Sequence, residues 1–150
     1  MISDIDRHPR FRRLADYLAS KAPPGKLPGR QHIEPLEIPD LLPHLMLVDV
    51  LPQPGGGLRY RIRLVGTGVV AIQGADHTGH FVEDVLTAAE GADIIGKYDE
   101  IVRAWQPQYR SGVVATPGRD HVAYERLVFP LAGDGEHVDM LIFVFVRPKS

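Results

Sequence analysis

Arginines alternate with large apolar side chains along Leu58 to Val65 (Leu-Arg-Tyr-Arg-Ile-Arg-Leu-Val), and this alternation constrains the fold more than any other stretch of the chain. A period of two puts Tyr60, Ile62 and Leu64 on one face of a strand and Arg59, Arg61 and Arg63 on the other. One face is then buried and the other is most simply solvated, as in an antiparallel sheet. The residues that follow, Gly66-Thr67-Gly68-Val69-Val70-Ala71, match the Gly-x-Gly-x-x-Ala pattern of a dinucleotide site, with Asp84 available to a ribose. The strand argues against that reading, because the first strand of a dinucleotide fold is buried on both faces and reads as a continuous apolar run. The helix that would follow argues against it too. Val69 to Gln73 is far short of the dozen or so residues that a crossover to a parallel strand requires. Gly66 and Gly68 read instead as the exit from a strand into helices.

The flanking segments extend this pattern. Leu45 to Leu51 is a short apolar run ending at Pro52-Gln53-Pro54-Gly55-Gly56-Gly57, so it pairs with the arginine strand as an antiparallel hairpin. Upstream, Phe11, Leu14, Ala15 and Leu18 make one stripe on a helix over Pro9 to Ala19, stopped by Pro23-Pro24-Gly25. Such a stripe must cover the rest of the domain, a second copy of the chain, or both. Lys26 to His44 reads as an ordered connector with at most a short helical turn at Asp40-Leu41-Leu42, pinned to the core by Leu36, Ile38, Leu41 and Leu42.

Downstream, Gly74 to Asp84 is expected to be a turn and a short helix, and Thr87-Ala88-Ala89-Glu90 has the form of a capping box. The helix it opens carries Ile94, Ile95, Tyr98, Ile101, Val102 and Trp105 on one face and closes at Pro107. Gly91 and Gly96 each weaken it by about 1 kcal/mol relative to Ala. Three strands complete the chain, over Tyr109 to Thr116, His121 to Leu131 and Val138 to Arg147, separated by Pro117-Gly118-Arg119-Asp120 and Gly133-Asp134-Gly135. The last is almost wholly apolar and belongs in the middle of a sheet covered on both faces. The long helix would cover one face, and the N-terminal helix or a partner subunit the other.

The predicted fold class is therefore α+β: a five-stranded antiparallel sheet with the terminal strand central, helices across one face, and an N-terminal helix. The residues resemble the PAS family. Tyr60 to Gly68, Gly74 to Gly79, Tyr124 to Leu131 with Gly133-Asp134-Gly135, and Val138 to Leu141 are similar to a group of bacterial single-domain PAS proteins of uncharacterised function. The resemblance runs over Leu27 to Arg147 and is specific only as an ordered set. On this reading residues 1–26 form the N-terminal helix and connector and residues 27–150 the PAS-like domain. The resemblance implies a space between the long helix and the sheet that holds a small ligand or cofactor, and an N-terminal helix that mediates dimers.

Composition narrows the function. The formal net charge of −2 gives no electrostatic reason to attract nucleic acid or an anionic membrane. Zero cysteines removes disulfides, thiolate ligands, cysteine nucleophiles and any photosensor that needs a cysteine adduct. The acid-bearing start and the lack of any apolar run near the ~20 residues of a membrane span make the cytoplasm the expected address.

Asp76-His77-Thr78-Gly79-His80-Phe81-Val82-Glu83 has a composition suited to zinc or iron, but a polar turn explains it better, and haem through His77 or His80 is weaker still. No serine sits in a nucleophile elbow and no phosphate-binding loop is present. The candidate ligand-binding residues are Tyr98 and Trp105 on the helix stripe and Tyr124 and Arg126 on one face of their strand. Each is also a plausible core residue, and Arg126 also has Asp139 on the neighbouring strand as a possible partner. The expected protein is a sensory or interaction domain acting as a homodimer on a separate signalling partner, with no catalysis of its own, no metal and no assigned cofactor. A small-molecule enzyme on a cone-shaped α+β fold and a ligand-free dimerisation module are the alternatives.

Overall fold

Apolar side chains on both faces oblige the strand Met140–Val146 (β5) to lie between two packed layers. The computed structural model describes residues 3–114, 118 and 121–148, and it places β5 at the centre of a five-stranded sheet. The other strands are Leu45–Pro52 (β1), Leu58–Val65 (β2), Gln108–Val113 (β3) and Ala123–Leu131 (β4). Their order is β2-β1-β5-β4-β3, with every pair antiparallel. Ala115 and Thr116, at the end of one predicted strand, and Pro117, Arg119 and Asp120 of the turn after it lie outside the described residues.

The pleat sorts the strands' side chains into two cores. Leu141, Phe143 and Phe145 of β5 join Met46, Val48 and Val50 of β1 and Val128 of β4 under the helix Ala88–Ala104 (α3). Met140, Ile142, Val144 and Val146 join Leu45, Leu47, Leu127, Phe129 and Leu131 under the helix Pro9–Lys21 (α1). Pro9 stands in the first turn of α1, where its missing N–H costs nothing, and the His8 ring accepts from the Arg10 N–H at 3.0 Å. The apolar stripe of α1, Phe11, Leu14 and Leu18 with Tyr17, is spent on its own sheet. Of the coverings open to that face, the chain's own helix provides one.

Three local expectations need correction. Leu64 does not share the buried face of Tyr60 and Ile62. Leu47 pairs with Leu64 and Val48 with Ile62, so Arg63 is an extra residue in a β-bulge that flips the alternation beyond it. Leu64 is left 47% exposed. In the connector, Ile38 and Leu41 are buried as expected, but Leu36 (86% exposed) and Leu42 (38%) are not. The connector is also more structured than its composition suggests, with 3-10 turns at Arg30–His32, Pro35–Glu37 and Leu42–His44.

The arginine face of β2 is likewise more than a solvated surface. Arg61 and Arg63 flank the nearly buried Asp49 carboxylate of β1 at 3.5 and 3.3 Å. Arg59 pairs with Glu83 at 2.7 Å and lies 3.5 Å over the Phe81 ring. These contacts, with the Ile62 N–H donating to the His80 carbonyl at 2.9 Å, hold the 74–85 segment against the open edge of β2. Edge backbone is thereby paired instead of left exposed.

Candidate functional site

The glycines after β2 set the position of the first short helix, Thr67–Gln73 (α2). A Cβ on Gly66 would stand 2.5 Å from the Pro43 carbonyl oxygen, and one on Gly68 would stand 2.8 Å from the same atom. These residues are glycine because the 42–44 turn presses backbone against backbone, which gives the sequence motif its physical cause without a phosphate. From there α2, the 74–85 segment and α3 roof the Leu141/Phe143/Phe145 face of the sheet. Between roof and sheet lies a cavity of about 330 Å³. That is within the range of small-molecule sites, which span roughly 300–1,000 Å³.

The helix α3 begins at Thr87, whose hydroxyl accepts from the Glu90 N–H at 3.3 Å. Only this half of the expected capping box forms. The Glu90 side chain does not reach back; it lines the cavity, with Oε2 buried and without a hydrogen-bond partner. Ile94, Tyr98 and Ile101 follow on the buried face. Tyr98 packs edge-on against Tyr60 and Phe143 at ring separations of 5.2 and 5.5 Å, and burial pushes its hydroxyl pKa up against the opposing pull of Arg126.

The opposite wall comes from β4 and β3. Alternation puts Tyr124, Arg126 and Val128 on the cavity side, and Arg126 keeps only 3% of its exposure. Its guanidinium lies 5.1 Å from the Phe143 ring centre and 5.7 Å from that of Tyr98. Neither Nη1 nor Nη2 has a hydrogen-bond partner. Asp139, the partner the sequence offered, instead accepts from the Gly133 N–H at 3.2 Å, and Arg126 stands beside Phe145 in the β4–β5 register. Across β3, Arg126 faces Arg110, whose Nη1 donates to Asp93 at 3.0 Å. The cavity wall thus holds two cations, one paired within the protein and one not. A buried charge without a partner is costly, so such a group points to a ligand.

Three of the four predicted ligand-binding residues, Tyr98, Tyr124 and Arg126, line this cavity together. Trp105 does not. The helix ends one residue before it, and Trp105 takes a left-handed conformation (φ 60°) as the C-cap, its N–H bonded to the Ile101 carbonyl at 2.9 Å. Its half-buried ring lies outside the cavity lining. The approaching Pro107 favours a helix stop, and the change of backbone direction rotates residue 105 off the stripe.

Sequence reasoning missed Glu90, Gln73 and Arg110 as lining groups. Glu90 had a legible signal, since 90, 94, 98 and 101 follow helical spacing on one face. Arg110 had one only through strand register, which sequence does not supply. His77 also lines the cavity, while the rest of its segment is engaged locally. Asp76 accepts from the Thr78 N–H at 3.0 Å, the His80 ring meets the His77 carbonyl at 3.2 Å, and Glu83 holds Arg59. Among the described residues no three His, Asp or Glu side chains converge as a metal site, and no helix is long and apolar enough to cross a membrane.

An antiparallel sheet whose one face is roofed by a long helix and short ones, around the buried Arg126, defines an α+β domain built on an interior pocket. The family model described as the PAS domain matches residues 6–144, and the chain belongs to that family, a sensory fold. A fungal LOV domain photoreceptor shares the architecture, with a TM-score of 0.53 at 13% identity over 97% of this chain and 100% of that one. The PAS domain of an HTR-like protein from Haloarcula marismortui is also similar, with a TM-score of 0.45 at 15% identity over 69% of this chain and 81% of that one. The PAS domain of Bordetella pertussis BvgS gives 0.43 at 11% identity, over 77% and 82%. At these identities the likeness is one of fold alone. No curated protein matches the chain.

Proposed function

We propose that this chain is a cytoplasmic sensory domain that binds a small anionic organic ligand in the cavity between α3 and the sheet. Tyr98, Tyr124 and Arg126 contact that ligand, and the domain passes the signal, as a homodimer, to a separate partner protein without catalysis of its own. The observation that carries the reading is the Arg126 guanidinium, 97% buried by its 3% exposure, on a cavity wall, with both Nη atoms unpartnered. A planar fork of N–H donors matches a carboxylate in two-point fashion, and the Tyr98 and Phe143 rings beside it favour a ligand with an apolar body. The cavity also counts against a purely structural module, whose core would be filled. With no cysteine in the chain, a thiol adduct to a bound chromophore is not available to it.

Native mass spectrometry of protein purified from its own host tests both parts, since it reports bound small molecules and stoichiometry together. A bound organic acid that disappears in Arg126→Gln supports the ligand assignment. A retained acid in that variant would remove it. A monomer at micromolar concentration in sedimentation would remove the homodimer, for which the exposed Leu36, Leu42 and Leu64 offer apolar surface.

A further inference from the structure

Arg126 is not the only unsatisfied group on the cavity. Glu90 Oε2 and Gln73 Oε1 are also buried without a hydrogen-bond partner, and both side chains line the same space. Glu90 is notable because an alternative was within reach. As the third residue of α3 its carboxylate had the N-terminal N–H groups of its own helix to accept from, and the Thr87 cap forms without it. It is turned toward the cavity instead.

Charge decides what this combination accepts. Arg110 is offset by Asp93, which leaves Arg126 as the uncompensated cation and Glu90 as the uncompensated anion of the lining. A simple monoanion would pair with Arg126 and add a second negative charge to a space that already holds Glu90. A simple cation would do the reverse. A ligand carrying both signs satisfies both groups, and Gln73 provides a further acceptor on the same lining.

Helical spacing separates the backbone positions that carry these groups. Glu90 precedes Tyr98, the ring that Arg126 faces, by eight residues on α3. At about 1.5 Å rise per residue this is roughly 12 Å along the helix. The stretch between is apolar, with Ile94 on the helix and Ile62 and Met46 on the sheet. Glu90 and the ring that Arg126 faces thus hold separate positions along the lining, which favours an elongated ligand over an acid with its amine on the neighbouring carbon.

Building on the ligand reading above, we propose that the cavity recognises an ω-amino carboxylic acid or a similar elongated zwitterion. Its carboxylate pairs with Arg126, its methylene body lies against the apolar lining, and its ammonium group donates to Glu90 and Gln73. Glu90 is then the residue that separates this ligand from a fatty acid of the same length.

The test is calorimetric titration of the full chain with three probes of one length: octanoate, its ω-amino derivative, and octylamine. The expected order places the amino acid first, by about ten-fold over octanoate, the size of one charge-assisted contact. Glu90→Gln is expected to erase that advantage while leaving octanoate binding in place, and Arg126→Gln to weaken both acids by about ten-fold or more. Glu90→Ala, checked for folding by its melting curve, serves as a second variant and should behave as Glu90→Gln does. Octanoate binding as tightly as its amino derivative, in an Arg126-dependent way, would overturn the zwitterion and leave the anionic-ligand reading standing. If none of the three probes binds, the elongated zwitterion falls, and the native mass spectrum of Arg126→Gln decides the anionic-ligand reading by itself.

Discussion

The Arg126 guanidinium faces the Tyr98 ring across 5.7 Å, and its two Nη atoms have no hydrogen-bond partner among the described residues. Cation–π contact of this kind contributes up to about 2 kcal/mol when desolvated. Burying an ion costs several kcal/mol even after relaxation, so the rings do not offset it. Arg126→Met is therefore expected to stabilise the ligand-free protein by about 1–4 kcal/mol, at roughly 2–4 °C per kcal/mol for a domain of this size. The same change should abolish carboxylate binding. Melting curves with and without octanoate check both, and a lower melting temperature with binding intact would show that Arg126 is structural.

Gly66 sits where a Cβ would meet the Pro43 and Leu42 carbonyl oxygens at 2.5 and 2.6 Å. Both obstacles are backbone atoms and neither can rotate away. Gly66→Ala is expected to destabilise by about 1–3 kcal/mol, as overpacking does. Urea unfolding measures it. Were these glycines a nucleotide cradle, the substitution would instead change nucleotide affinity with little effect on stability.

Trp105 holds a left-handed backbone that costs a non-glycine residue roughly 1–2 kcal/mol. Trp105→Gly removes that strain while losing the packing of a half-buried ring, so the net change in stability should stay within about 1 kcal/mol of zero. Ligand affinity should be unchanged, because the ring lies outside the cavity lining. A loss of affinity in the titration would return Trp105 to the site.

His44 has its pKa lowered from the ordinary 6.5, first by burial and then by the neighbouring Arg10 charge and the nearby His8 ring. Since its folded value lies below its unfolded value, the unfolded chain binds the proton first as the pH drops. The associated stability is present above pH 6.5 and is lost as the pH falls through the folded value. Melting temperatures followed downward from neutral pH should show this loss, and His44→Gln should reduce its slope. An identical slope in the variant would assign the acid sensitivity to other groups.

Particular residues show how far the sequence could be read. The position of β5 was legible because only a central strand covered on both faces tolerates an unbroken apolar run from Met140 to Val146. Tyr98, Tyr124 and Arg126 were legible as pocket candidates because period and polarity placed large amphipathic side chains on inward faces. Leu64 was not, since a bulge shifts the register by one residue and leaves no mark in hydropathy. Leu36 and Leu42 failed for a related reason: an irregular segment has no period from which to tell an inward leucine from an outward one.

By itself, the sequence determined the type and order of the main helices and strands and which strand must be covered on both faces, because local periodicity and turn chemistry are written in neighbouring residues. Only the tertiary structure decided that the Gly66-x-Gly68 exit is shaped by the Pro43 backbone, that Arg126 bypasses Asp139, and that Glu90 leaves its helix cap for the cavity. Those outcomes depend on register and on contacts between residues far apart in the chain, where alternatives differ by a few kcal/mol and nothing local distinguishes them.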